Sequence, residues 1–263
     1  MKIFDIFKNG TQPIEGSAYA KAMPQADNTG NNMAADTNQA VDEKRTNDDK
    51  IKVHNLIILD ESGSMQAIYH PALTGVNETL QTIRGAQKEH PDQEHFVTLV
   101  TFDTSHYHKI YHNTPAGHAI DISGEQYSPC GGTPLYDAMG RAINELQTKV
   151  AKGDVVLVTV ITDGYENASR KYNSQAIKSL VEEMRKSGWV FTYIGANQDV
   201  EAVAESMSIK NRMAFSADFA GTTAMFEKEN MSRKRFFGKI QKGVMRSELE
   251  DGYFESEDEF PPY

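Results

Sequence analysis

The stretch LIILDESGSM, residues 56–65, decides how this chain is read. Four apolar residues run unbroken into Asp60, and Ser62 and Ser64 then follow at alternate positions. An uninterrupted apolar run of this length, closed by small polar residues, predicts a strand covered on both faces. In a loop leaving the carboxyl end of such a strand, alternate side chains can turn toward one point, so Asp60, Ser62 and Ser64 can converge.

Similar runs recur at Phe96 to Phe102, Val155 to Ile161 and Trp189 to Ile194. Helical stripes lie between them: Leu73, Val76, Leu80 and Ile83; Leu135, Met139, Ala142 and Leu146; and Ile177, Leu180, Val181 and Met184. A further helix is expected at Asp199 to Met207, a short strand at Met213 to Ser216, and a last helix from about Asp218. Strands alternating with helices predict an α/β fold with a mostly parallel central sheet and helices on both faces. Tyr107 to Tyr111 follows the second strand too closely for a helical crossover and is expected to pair antiparallel at the sheet edge.

The remaining composition sets the frame. The chain has 263 residues, enough for one sizeable core, with 39% hydrophobic residues and a mean hydropathy of -0.55 that leaves room for solvated ends. Residues 1–50 read as a disordered leader, 51–235 as the folded domain, and 236–263 as a basic-to-acidic tail disordered toward its end. The formal net charge of -10 is concentrated at the carboxyl terminus, where residues 248–263 carry seven acids and no base. The nearly neutral body lacks the basic field of a nucleic-acid binder. Neither a secretory leader nor a transmembrane run is visible, and the single cysteine, Cys130, cannot form an internal disulfide. These features predict a cytoplasmic protein with neither membrane nor nucleic-acid partners.

Ligands of open α/β sheets bind beyond the carboxyl ends of the strands. Three segments put oxygen donors there: Asp60, Ser62 and Ser64; Thr133 in CGGTPLYDA, opening a helix behind two glycines; and Asp163 in VTVITDGYENASR. Two carboxylates and three hydroxyls suit a hard divalent cation, magnesium best, with manganese and calcium as other candidates. The ordinary reading of each residue alone is local: Asp60 and Asp163 as caps, Thr133 as a helix N-cap.

DESGSM followed by Thr133 and Asp163 resembles the metal-ion-dependent adhesion site of von Willebrand factor A domains, with all five positions matched in order over about residues 51–235. DGYENASR and WVFTYIGANQD are further similar to a bacterial intracellular branch of that family. The resemblance implies a Rossmann-like fold. It implies that Ser62, Ser64 and, in one state, Thr133 bind magnesium directly while Asp60 and Asp163 act largely through water. It also implies that a Glu or Asp of a protein partner completes the coordination, in a module that is not an enzyme.

Two rival functions are a metal-dependent phosphatase or hydrolase, with Asp60 as nucleophile, and a structural subunit of a larger assembly. No nucleophile-elbow pattern surrounds Ser62 or Ser64.

Other residues receive local readings. Glu61 is expected to be solvated and Asp103 to open the turn into the hairpin. His106, His108 and His112 are expected on an exposed hairpin without metal-ligand company, and Cys130 as a small inert buried side chain. The basic stretch Met231 to Arg246 is expected to be a solvated helix. The acidic tail could reach a metal site in its own or a neighbouring molecule.

Overall fold

The computed structural model describes residues 50–255, so the expected leader up to residue 49 and the tail end 256–263 lie outside the described residues. The strand foreseen at LIIL is the centre of the sheet. It forms β1 (Ile51–Asp60), paired in parallel with β2 (Gln93–Phe102) on one side and β4 (Val155–Thr162) on the other. Beyond β4 lie β5 (Trp189–Gly195) and β6 (Asn211–Ala214), both parallel, while β3 (Tyr107–Pro115) closes the other edge antiparallel to β2. The strand order is β3-β2-β1-β4-β5-β6.

Both faces are covered, which is why the strands read as apolar runs rather than alternating patterns. Ile57 and Leu59 point to a layer that includes Val76, Leu80 and Ile83 of α1 (Tyr69–Glu89) and Phe226, Phe236 and Phe237 of α5 (Phe219–Gln241). Leu56 and Ile58 face the opposite layer, with Met139 and Ile143 of α2 (Leu135–Gln147), Val181 of α3 (Ser174–Lys186) and Ala204 of α4 (Val200–Ser206). Each such aliphatic side chain, taken fully out of water, contributes roughly 1.5–3 kcal/mol before entropy is counted. The α/β class with one antiparallel edge strand is as expected.

The elements extend past the apolar runs wherever polar side chains find buried partners. β1 begins at Ile51 because His54 reaches Asn113 at 2.7 Å and Asp154 at 3.0 Å, while Asn55, fully buried, accepts from Arg233 at 2.8 Å. β3 runs on to Pro115 because backbone pairing with β2 continues through a register shift that alternating side chains do not reveal.

The basic stretch is solvated on one face only, with Met231, Lys234 and Lys242 exposed, and packing does not stop at residue 235. Arg233 and Glu229 of α5 are both buried, with Arg233 Nη2 2.7 Å from Glu229 Oε1 and 2.8 Å from Thr159 Oγ1. Phe236, Phe237 and Ile240 fill the core beside them. A charged residue every turn hides this face from a periodicity argument, since Arg233 is core by virtue of its partners rather than its own polarity. The chain then returns along the sheet's far edge: Glu250 takes a two-point bond from Arg185 at 2.6 Å each, Leu249 is buried, and Tyr253 donates to Glu229 Oε1 at 3.1 Å. Arg185 closes α3 just before β5 begins, so this acidic segment docks at the edge opposite the strand carboxyl ends.

Candidate metal centre at the strand ends

Asp60 is the last residue of β1, at the point where connections depart to β2 on one side and β4 lies on the other. That reversal is where an open sheet leaves a crevice. Asp60 is fully buried and both carboxylate oxygens are engaged: Oδ1 accepts from Ser62 N at 2.7 Å, and Oδ2 from Thr162 Oγ1 at 2.7 Å. Its carbonyl oxygen accepts from the buried Tyr127 hydroxyl at 3.0 Å.

The Ser62 and Ser64 hydroxyls stand 3.1 Å apart, and Ser64 donates to Asp163 Oδ1 at 2.5 Å. Four of the five sequence-selected residues therefore form one linked group, drawn from the end of β1 and the end of β4. Thr133 comes to it through the backbone. Gly63 N donates to Gly131 O at 3.0 Å, Thr133 N donates to Asn167 Oδ1 at 2.9 Å, and Asn167 N donates back to Thr133 O at 3.1 Å. Thr133 is buried and is not the cap of α2, whose N-terminal flank is Pro134.

The glycines before Thr133 serve this approach. Gly131 sits at φ 66, and a Cβ there would strike Thr104; at Gly132 a Cβ would stand 2.7 Å from Asn167 Oδ1. Thr162, Tyr127 and Asn167 were not singled out from the sequence. Thr162 directly precedes Asp163, a usable signal, whereas nothing local marks Tyr127 or Asn167.

The sequence model of the von Willebrand factor type A domain matches residues 56–228, a span from β1 into α5 that holds all five site residues. The chain belongs to this family. No curated protein sequence matches it. Among solved structures, the vWA chain is similar to the PilB minor pilin from Streptococcus sanguinis, at 14% identity and TM-score 0.50 over 75% of this chain and 63% of that one. A point mutant of the same pilin gives 13% identity and TM-score 0.52 over 75% and 64%. The vWF domain of the type V pili tip protein Mfa5 from Porphyromonas gingivalis is 12% identical, with TM-score 0.49 over 74% of this chain and 97% of that one. At such identities the likeness is one of fold, and the chain spans less than two thirds of the pilin chains. No helix among the described residues is long and apolar enough to cross a membrane.

The electrostatics of the vWA site are those of carboxylates short of positive charge. Burial pushes the Asp60 carboxyl up to about 6; the hydrogen bonds from Thr162 and Ser62 oppose this, and the Asp163 charge adds to it. Burial raises Asp163 as well, against the bond from Ser64. Among the described residues neither carboxylate has an ion-pair partner. Beside them, Glu61 is buried rather than solvated: Oε1 accepts from Ser128 N, while Oε2 has no hydrogen bond.

Proposed function

We propose that this chain is a non-enzymatic, magnesium-dependent protein-binding adaptor, in which Asp60, Ser62, Ser64, Thr133 and Asp163 hold the ion and a partner's Glu or Asp completes its shell. The observation that carries this reading is the all-oxygen group at the strand ends. Its two hydroxyl oxygens, 3.1 Å apart, fit the about 3.0 Å edge of an octahedron of oxygens some 2.1 Å from magnesium. Two buried carboxylates without a cation beside them supply charge that a divalent ion would balance. Because hydroxyls add no further charge, the ion stays attractive to an outside carboxylate. Manganese and calcium have the same preference for oxygen and are expected to substitute.

Binding rather than turnover is supported by the engagement of Asp60. A nucleophilic carboxylate needs an approachable oxygen, whereas both Asp60 oxygens accept hydrogen bonds and the residue is fully buried. Neither serine is bonded to a histidine that could act as a base. The cytoplasmic, bacterial setting rests on the single Cys130 and the resemblance of DGYENASR and WVFTYIGANQD.

The experiment is capture of proteins from a bacterial lysate on the immobilised full chain, with magnesium or with chelator, beside Asp60→Ala and Thr133→Ala. A partner retained only with magnesium and lost from both variants supports the reading. A partner indifferent to ion and variants overturns it, as would magnesium-dependent phosphatase turnover abolished by Asp60→Asn.

A further inference from the structure

A second cluster of ligating atoms lies beside the oxygen site and differs from it in chemistry. Asp103 follows the last residue of β2 and turns the chain into β3, as its position suggested. Its Oδ1 accepts from the backbone N–H of Ser105 and, at 2.9 Å, of His106, which fixes the carboxylate plane. Its Oδ2 is left facing His106 Nδ1 at 3.0 Å and Cys130 Sγ at 3.1 Å. The three ligand atoms lie within 4.8 Å of one another.

Along the chain, no cysteine or acid with recognisable ligand spacing accompanies these histidines. The fold brings both to His106, with Cys130 lying 27 residues beyond Asp103 in the chain. Nor is Cys130 a buried inert residue: it is exposed, and hydrogen bonding to Asp103 raises its thiol.

We propose that Asp103 Oδ2, His106 Nδ1 and Cys130 Sγ form a site for a zinc-type divalent transition metal, separate from the oxygen site. Oxygen, nitrogen and sulfur together select such an ion over magnesium. With ligands at zinc-like distances of about 2.0–2.3 Å, the edges of a tetrahedron are about 3.3–3.6 Å. The observed 3.0 and 3.1 Å separations need only a few tenths of an ångström of expansion.

The carboxylate is held in place and the imidazole is accessible. The Asp103 side chain is 1% exposed and held by two backbone donors, while the His106 side chain is 50% exposed and open to an arriving ion.

The neighbouring charges point the same way. Glu61 Oε2, buried and without a hydrogen bond, stands 3.7 Å from His108 Nδ1, whose ring centre is 5.1 Å from that of His106. A carboxylate oxygen without a hydrogen bond thus borders the cluster, outside the group of mutually close ligand atoms, and water is the candidate fourth ligand. On binding, the thiol proton leaves to solvent and the imidazole moves its hydrogen from Nδ1 to Nε2, so the ion meets a thiolate and a free lone pair.

The proposal does not rest on the magnesium reading. Its test is titration of cobalt(II) into reduced, chelator-treated full-length protein, with magnesium in excess so that the oxygen site is occupied by a spectroscopically silent ion. The expected result is one equivalent of cobalt giving a thiolate-to-cobalt charge-transfer band and tetrahedral visible bands, both displaced by zinc. The charge-transfer band disappears in Cys130→Ser, affinity falls by about tenfold or more in His106→Ala, and Asp60→Ala matches the wild type. Both cluster variants replace exposed side chains, so the core is untouched. Absence of a thiolate band in the wild type, or unchanged cobalt affinity in His106→Ala, would overturn the assignment.

Discussion

Ser64 donates its hydroxyl hydrogen to Asp163 Oδ1 across 2.5 Å, joining the loop after β1 to the end of β4. A proton thus bridges the hydroxyl that the proposed ion would hold directly and a carboxylate that would act on it largely through water. Ser64→Ala is expected to cost the metal-free protein roughly 1–2 kcal/mol, because the lost hydrogen bond goes to a buried carboxylate although Ser64 itself is exposed. The rise in Tm on adding magnesium should shrink by much more, as a direct ligand is gone. Thermal unfolding with and without the ion separates the two effects.

Asp60 gives a pH dependence with a definite sign. A carboxyl held at about 6 in the folded state, against 3.8 ordinarily, binds its proton more tightly folded than unfolded. Its contribution is therefore greatest in acid, is lost as pH rises from about 4 through about 6, and is on the order of 3 kcal/mol. Asp60→Asn should remove this slope, and saturating magnesium should cancel it by favouring the charged form. Urea midpoints across pH, for wild type and variant, check both statements.

His95 acts in the opposite direction. Buried against Phe237 with neither ring nitrogen hydrogen-bonded, it is held down to about 3, chiefly by burial, with the charges of His90 and Arg233 adding to it. The unfolded chain takes up the proton first, so stability falls as pH drops below about 6.5, by about 2 kcal/mol at pH 5. His95→Phe should abolish that acid loss. Because the Asp60 and His95 slopes oppose each other between about pH 4 and 6, each is read from its own variant.

The Arg233 and Glu229 pair predicts a large, asymmetric response. Arg233→Met strands a buried carboxylate and should destabilise by roughly 3–5 kcal/mol. Arg233→Met combined with Glu229→Leu should cost less than the single change, despite leaving the Tyr253 hydroxyl without its acceptor. Denaturant midpoints for the two proteins decide the order.

What was legible in the sequence follows from the physics of each element. β1, β2, β4 and β5 are covered on both faces, so apolar runs revealed them, and the oxygen donors at their ends stood out at alternate positions. The polar starts of β1, the length of β3 and the buried face of α5 stayed hidden, because His54, Asn55 and Arg233 are inside through partners that include residues 59 to 178 positions distant, and the local Glu229–Arg233 spacing reads as an ordinary surface pair. Cys130 beside Asp103 and His106 was hidden for the same reason. Contacts between separate loops leave no spacing to read, whereas Asp60, Ser62 and Ser64 share one loop.

The most direct measurement of the central claim is calorimetric titration of magnesium, and of manganese, into chelator-treated full-length protein beside Asp60→Ala. The account predicts one equivalent bound by the wild type and a loss of that binding in the variant. Indistinguishable titrations of the two proteins, for both ions, would contradict it.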